Sequence, residues 1–553
     1  MRMRHVVIIG AGVGGLAAAL RLAALGVVVT VVEAADAPGG KMREVVAGGS
    51  PIDSGPTVFT MRWVFDELAR DVGLSLEDHV SFRPLETLAR HGWSDGARLD
   101  LFADLDQSVA AIAEFSGERD ARAYRRFAAR AAGVYETLKD SYVGASRPNL
   151  LQLVRRVGVL RLGELMRLSP YSTLASELAR SFYDPRLRQL FARYATYCGS
   201  SPFAAPATLM LVAHVERQGV WLIEGGMQRL AQGLATMAER CGASFVYQRQ
   251  VTRVLVEGGR ACGVELATGE RLAADAVIMN GDVSALGAGL LGPEVTGAVP
   301  MTPRKARSLS AITWSMRAKA RGFELLRHNV FFSDDYAIEF DDILRRGMPP
   351  RAPTVYICAQ DRAGSTLAAQ PQDERLFCLI NAPANGDEAP LKPPDLQSCQ
   401  DATFRHLERC GLQVTPLDGA SVATTPADFA RMFPASGGAL YGRAQHGWMA
   451  SFMRPGARTR LPGLYLAGGG VHPGPGVPMA ALSGRQAAAS VMADLGSGRG
   501  STAWSRPAAM PGGISMRSAM TASMGSPLSP SSVASSRPGM PGPDDKIRST
   551  TAR

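Results

Sequence analysis

The sequence predicts an α/β fold: a nucleotide-binding domain on a parallel sheet, a second mixed-sheet domain and a helical lid. Three observations carry this. Residues 6–33 read VVIIGAGVGGLAAALRLAALGVVVTVVE, an apolar strand, a glycine loop, a helix and a second apolar strand. The same grammar of strand, glycine loop and helix returns at residues 463–495, GLYLAGGGVHPGPGVPMAALSGRQAAASVMADL. The chain has 553 residues, 46% of them apolar and 20% charged, so it is globular and long enough for two or three cores.

The first strand, residues 6–9, is apolar throughout, as a strand covered on both faces has to be. Gly10, Gly12 and Gly15 follow in the spacing G-x-G-x-x-G. Gly10 permits the tight turn, Gly12 lets a pyrophosphate reach the backbone, and Gly15 lets the helix lie close to the sheet. Gly14 stands beside Gly15 in the opening turn. Free amides and the positive end of the dipole at that turn hold phosphate charge. Gly26 ends the helix, and the second strand leads to Glu33, 18 residues beyond Gly15. An acid there can accept both ribose hydroxyls. Together these parts predict a dinucleotide site; the plain alternative is a βαβ unit whose glycines serve packing alone.

The rest follows in chain order. Residues 36–43, DAPGGKMR, put Gly39, Gly40 and Lys41 just past the ribose acid, and DSGP at 53–56 forms a turn. Residues 57–85 read as a helix and connection, completing a first part of the nucleotide domain at 1–85. Residues 88–102, LARHGWSDGARLDLF, read as a hairpin. Residues 104–145 have helical spacing. Residues 149–195 are helical, rich in leucine and basic, and between 150 and 190 hold arginines at 155, 156, 161, 167, 180, 186 and 188 against Glu164, Glu177 and Asp184. Such a stretch suits an anionic membrane as well as a solvated face. Residues 86–217 are therefore assigned to a helical region facing substrate and membrane.

Gly225-Gly226-Met227 before a helix returns the chain to the nucleotide domain, at 218–290. Residues 245–283 alternate as strands, with Val251 a candidate for backbone contact on the adenine side. Residues 291–440 are punctuated by proline, as suits a substrate domain on an antiparallel sheet. Residues 441–496 complete the nucleotide domain. Residues 497–553 are rich in Ser, Gly, Pro and Met, with Asp544 and Asp545 the only acids, and read as a disordered tail.

Composition narrows the function. No apolar run of about 18 residues is free of charge, so no transmembrane helix is expected. The N-terminus enters a strand and GAGVGG directly, unlike a signal peptide. Seven cysteines (198, 241, 262, 358, 378, 399, 410) are scattered without a C-x-x-C pair, which reads as free thiols in a reducing compartment and no metal site. The net charge of +10 suits an anionic surface. No nucleic-acid motif accompanies it, so no nucleic-acid partner is expected.

With both ends in view, the sequence resembles the bacterial phytoene desaturase family of carotenoid desaturases over roughly residues 4–495. The motifs are GAGVGGLAAAL with Glu33, GGKMR at 39–43, DSGPTV at 53–58, EGGMQRL at 224–230, FPASGGALYG at 433–442 and LYLAGGGVHPGPGVPMAALSGR at 464–485. Within the family it looks most like the hydroxyneurosporene (methoxyneurosporene) desaturases of purple bacteria, the 1-hydroxycarotenoid 3,4-desaturases. LARHGWSDGARLDLF, DPRLRQLFARYATYCG, VERQGVWLIEGGM and VPMAALSGR carry that likeness. Phytoene desaturases proper usually have an aromatic–proline pair where this chain has Leu222-Ile223-Glu224.

The resemblance implies an FAD-binding Rossmann-type domain of the amine-oxidase and carotenoid-desaturase kind. Its cofactor residues here would be Gly10, Gly12, Gly14, Gly15, Glu33, Gly40, Lys41, Val251, Gly469, Gly470, Val477, Pro478 and Met479. No cysteine follows Cys410, so no thioether link from the C-terminal loop is available and FAD is expected to be held noncovalently. The implied reaction sets a C-3,4 double bond into a lipophilic, acyclic 1-hydroxycarotenoid. The implied place is the cytoplasmic side of a bacterial inner (photosynthetic) membrane, attached peripherally; the electron acceptor stays open. Competing readings are a phytoene desaturase, a redox-neutral carotenoid isomerase and a non-enzymatic prenyl-binding escort protein. The intact Gly12, Glu33 and loop 468–479 speak against the last.

Desaturation removes two hydrogens from adjacent hydrocarbon carbons, which needs a redox cofactor. The protein then supplies position, a dry tunnel and at most one base. His214 and Glu216, on the helical stretch 207–217, and His472, in the C-terminal glycine loop, are candidates. Their ordinary readings are a packed histidine, an ion-paired or solvated acid, and a structural or flavin-contacting histidine. A base would need to lie near the ring with a shifted pKa.

Overall fold

The base of the molecule is a five-stranded parallel sheet. In the computed structural model, which describes residues 3–157, 171–362 and 373–497, its spatial order is Leu464–Leu466, Ala276–Met279, His5–Ile9, Val28–Val32 and Ala243–Val246. The tail expected beyond residue 497 lies outside the described residues. Strand His5–Ile9 is central, and Val6, Val7 and Ile8 are wholly buried. Val6 and Ile8 pack with the helices Val13–Ala24, Gln228–Arg240 and Val477–Ser497. Val7 faces the other way, onto the antiparallel strands Val251–Glu257, Arg260–Leu266 and Arg271–Ala273. Cover on both faces is why the strand reads as an unbroken apolar run.

The second sheet has seven strands. Their order is Leu412–Thr424, Ser310–Gly322, Glu374–Ala382, Val355–Ala359, His328–Phe331, Thr87–Gly92 and Arg98–Phe102. The hairpin read at 88–102 is present, and it completes the sheet expected from 291–440 by pairing parallel with His328–Phe331. The stretch 86–217 read as a helical region therefore also supplies two strands of this sheet. All six residues of Thr87–Gly92 are buried, which a free two-stranded hairpin cannot achieve.

A helical layer covers one side. Leu105–Ser116, Glu118–Leu138, Leu174–Ser181, Pro185–Ala192 and Leu211–Arg217 contribute to one core, with Trp93 and Phe332 from the sheet side. The single helical run read over 149–195 is instead interrupted. Thr173 and Asp184 each cap a new helix, their side chains accepting from Ser176 N at 3.2 Å and Arg186 N at 2.8 Å. Part of the basic charge is consumed internally: Arg186 pairs with Asp184 and Asp95, and Arg188 donates to the carbonyls of Phe182 and Tyr183. Arg155 and Arg156 are exposed, whereas Arg161 and Arg167 lie outside the described residues.

Candidate functional site

The first helix begins at Gly12, which has extended backbone (φ −71°, ψ 169°) and no side-chain cap, so the amides of the first turn are left for a ligand. The loop before it is packed glycine on glycine. Gly39 N donates to Ala11 O at 2.9 Å, and a β-carbon on Gly40 would sit 3.4 Å from Gly12 Cα. Asn280, at the end of strand Ala276–Met279, forms the floor. Its Nδ2 donates to Gly10 O at 3.0 Å, and β-carbons on Gly12 or Gly15 would fall 2.9 Å from it. A β-carbon on Gly14 would stand 2.6 Å from both Asn280 Oδ1 and Gly468 N.

Glu33 closes one end of this cradle. Its carboxylate accepts from Ala11 N at 2.6 Å and Ala35 N at 2.8 Å, which fixes it at the strand tip. The chain leading to Val251 runs alongside, with Arg249 N bonded to Glu33 O at 2.9 Å. The other end is the C-terminal loop. Ser483 Oγ receives Gly468 N at 2.7 Å, Arg454 Nη1 donates to Gly469 O at 3.2 Å, and Gly470 packs on Val283. Val477, Pro478 and Met479 form the first turn of the closing helix, where Ala480 N makes a helical bond to Gly476 O.

The remaining sequence motifs hold these parts together. Both oxygens of Asp53 accept from Met227 N at 3.0 Å, while a β-carbon on Gly226 would lie 2.8 Å from that carboxylate. The D-x-G-P turn and the Gly-Gly-Met turn are thus one joint. Burial raises the Asp53 pKa above the ordinary value, despite the bonds from Met227 and Gln228 that oppose it. Lys41 Nζ donates to Leu440 O at 2.6 Å and lies 4.8 Å from the centre of the Phe433 ring, tying GGKMR to FPASGGALYG. Burial lowers its pKa, and Asp282 partly restores it.

Tyr197, Cys198, Tyr356 and Tyr441 are half-buried. Burial pushes the Tyr441 hydroxyl to about 12 and those of Tyr197 and Tyr356 further up, so all three are neutral. Tyr356 Oη hydrogen-bonds to Thr57 Oγ1 at 2.7 Å and His328 Nδ1 at 2.8 Å. Tyr197 Oη donates to Glu216 Oε1 at 3.1 Å and accepts from Arg193 Nη1. Tyr194 Oη donates to Glu216 Oε2 at 2.5 Å.

The three candidate bases are held by other groups. Glu216 carries two tyrosine hydroxyls and an ion pair to Arg193 at 3.6 Å. His214 packs on the Tyr135 ring at 5.1 Å, and burial with Arg217 lowers its pKa to about 4. His472 Nε2 lies 3.0 Å from the carbonyl oxygens of both Tyr142 and Ala145, and burial lowers its pKa to about 4. Sequence reasoning missed Asn280 and Arg454, which hold the two glycine loops. Asn280, in AVIMNGD at the end of a buried strand read, was the one with a signal in the sequence.

These residues fit an adenine dinucleotide: uncapped amides, a floor that β-carbons would fill, a fixed ribose acid and a second helix start. Fold and cradle define a dinucleotide-dependent oxidoreductase. The model of the flavin containing amine oxidoreductase family matches residues 13–492. A hydroxyneurosporene desaturase of Rubrivivax gelatinosus is 50% identical over 525 residues, 95% of this chain and 99% of the relative. A 1-hydroxycarotenoid 3,4-desaturase of a Flavobacterium is 30% identical over 501 residues, 89% of this chain and 99% of the relative. Cyclohexylamine oxidase of Brevibacterium oxydans shares the fold, with a TM-score of 0.51 at 18% identity over 90% of this chain and 100% of that one. The chain belongs to the flavin-containing amine oxidoreductases and, within them, to the carotenoid desaturases. Its cofactor is FAD.

Proposed function

We propose that this protein sets the C-3,4 double bond into an acyclic 1-hydroxycarotenoid of the hydroxyneurosporene type, with FAD held noncovalently. The observation that carries the reading is the cradle itself, uncapped helix amides behind a glycine loop with Glu33 fixed at the strand tip. The near-full-length likeness to a hydroxyneurosporene desaturase supports the substrate class.

Bound FAD supplies the hydride acceptor. Gly10, Gly12, Gly14 and Gly15 open the backbone to its pyrophosphate, and Glu33 takes the ribose, with Gly40 and Val251 flanking. The amides opening the closing helix, with Gly469 and Gly470 before them, meet negative charge as helix starts do. Lys41 adds a buried cation at the edge. His472 clamps the C-terminal loop to the segment 142–145.

Parallel incubation with 1-hydroxyneurosporene and with phytoene tests the reading. Loss of two hydrogens from the hydroxylated substrate is expected. Desaturation of phytoene alone, or an isomer of unchanged mass, overturns it.

A lipid-soluble substrate favours enzyme at the membrane, so we infer peripheral attachment on the cytoplasmic side of a bacterial inner membrane. No helix among the described residues is long and apolar enough to cross one. The contact we favour is the face carrying Tyr171 (76% exposed) against Trp448, with Met449 and Met453 beside it. Arg147 holds this loop through Phe452 O at 2.6 Å.

A further inference from the structure

We propose that Arg454 and Lys41 form the counter-charge of the reduced cofactor. They are two cations bonded to one segment, residues 440–443, and they favour FAD once it has taken the hydride. The proposal rests on the placement of FAD in the cradle above. It gives a role to Arg454, which the candidate cofactor residues do not include.

Arg454 is completely buried, at 0% exposure. Its Nη1 donates to Gly469 O at 3.2 Å and its Nη2 to Arg443 O. The next residue follows the same loop, with Pro455 O accepting from His472 N at 2.8 Å. Gly442 completes the contact. A β-carbon there would lie 3.4 Å from Arg454 Nη1 and 3.0 Å from Gly470 Cα. The guanidinium is thus pinned between residues 442–443 and the C-terminal glycine loop, with Nε buried and unpartnered. Lys41 reaches the same segment from the other glycine loop, its Nζ donating to Leu440 O at 2.6 Å. It directly follows Gly40, which packs on Gly12.

Among the described residues neither cation is paired with a carboxylate; both are held by neutral carbonyls. Asp282, the acid that acts on both, caps its own helix by accepting from Ser284 N at 2.9 Å. Other deep arginines are paired: Arg193 with Glu216 at 3.6 Å, Arg362 with Glu374 at 2.7 Å and Arg90 with Asp100 at 2.8 Å. Burial lowers the Arg454 pKa, yet a guanidinium keeps its proton at neutral pH. An unpaired interior charge is costly, and an anion beside it offsets the cost.

FAD brings two anions. Its pyrophosphate belongs to the uncapped amides at Gly12 and has one charge in both redox states. With the ribose at Glu33 and the pyrophosphate at Gly12, the flavin falls toward the C-terminal loop, where Arg454 is. Charge arises there only on reduction. The hydride leaving one substrate carbon carries both bonding electrons and one negative charge to the cofactor. The neighbouring carbon gives up a proton to solvent, and the bond between the two carbons becomes double. Fixed cations stabilise such charge as it develops, without reorganising.

The test measures the midpoint potential of holoenzyme and the affinity of apoprotein for FAD in wild type, Lys41→Met, Arg454→Met and Arg454→Lys. Each methionine should weaken binding of reduced FAD about tenfold more than that of oxidised FAD, which lowers the two-electron potential by about 30 mV. Arg454→Lys keeps the charge and should keep most of the potential, even where it loosens Gly469. Wild type should take up one proton, not two, with two electrons on the acid side of neutrality. Unchanged potentials in the methionine variants overturn the proposal. Equal losses for both redox states assign the cations to the pyrophosphate and overturn it as well. Should one methionine variant fail to hold FAD, the other decides, and two protons taken up by wild type overturn the proposal without any variant. Full flavin in Gly12→Val would instead overturn the placement of FAD, so the two failures are distinguishable.

Discussion

A β-carbon on Gly484 would lie 2.1 Å from the carbonyl oxygen of Gly14. The closing helix therefore crosses the first helix backbone to backbone, and one residue lets the two ends of the chain build one cradle. Gly484→Val should push the helices apart and disturb Gly468, which is held by Ser483 one residue away from the contact. Purified variant is expected to lack most of its flavin absorbance and to melt at lower temperature. A variant with full flavin would show that the crossing is slack.

Gly12→Val tests the other half of the cradle. The new side chain points toward Asn280 Nδ2, only 2.9 Å from its first carbon, and crowds the helix start as well. Flavin should be lost outright. Glu33→Ala removes an acceptor of two amides without adding a clash, and the effect should be milder, about 1–3 kcal/mol in FAD affinity. Titration of apoprotein with FAD measures both, and equal affinities in the two variants would contradict the ranking.

Glu339 gives a pH signature to the second domain. It is fully buried, and burial raises its pKa from 4.5 to about 7, against bonds from Thr354 and Asn381 that oppose the shift. The folded state thus prefers the protonated form. Stability from this group is complete below the ordinary carboxyl range and is lost as pH rises through about 7. The loss amounts to roughly 3 kcal/mol. Glu339→Gln should therefore gain on wild type between pH 5 and pH 8 in thermal melts. Parallel melting curves across that range would refute the shift.

His472 works in the opposite sense. Its pKa is lowered to about 4 because the ring is buried. The stability it lends is complete above the ordinary imidazole range, near 6.5, and falls as pH drops toward 4. His472→Gln, which keeps a donor for the carbonyls of Tyr142 and Ala145, should flatten the acid limb of the stability curve. An unchanged acid limb would assign it to the other histidines that burial lowers, among them His214 (about 4) and His328 (about 3).

The cradle was legible because its demands are local: glycines at fixed offsets, an apolar strand before them and an acid at the next strand tip. What escaped the sequence depends on pairing across long separations. Asn280 reaches Gly10 only because Ala276–Met279 lies parallel to His5–Ile9. Residues 88–102 announce a hairpin, but nothing in them names His328–Phe331 as the partner. The span 149–195 kept a helical, basic pattern across Thr173 and Asp184, whose capping role breaks it.

The membrane contact is the last point open to measurement. Trp448, Met449 and Met453 are exposed on the loop that Arg147 and Tyr142 hold through the carbonyls of Phe452 and Ser451. Apolar side chains on a fixed loop bury area in lipid without paying to order it. Replacing the three by serine should weaken flotation with liposomes at any salt concentration, since the lost term is hydrophobic. Arg155→Gln with Arg156→Gln should instead remove about 1 kcal/mol per charge, only with anionic lipid and only at low salt. The two sets of substitutions thus separate by their salt dependence. Wild-type flotation in the serine variant, at high and low salt alike, would move the contact away from this face.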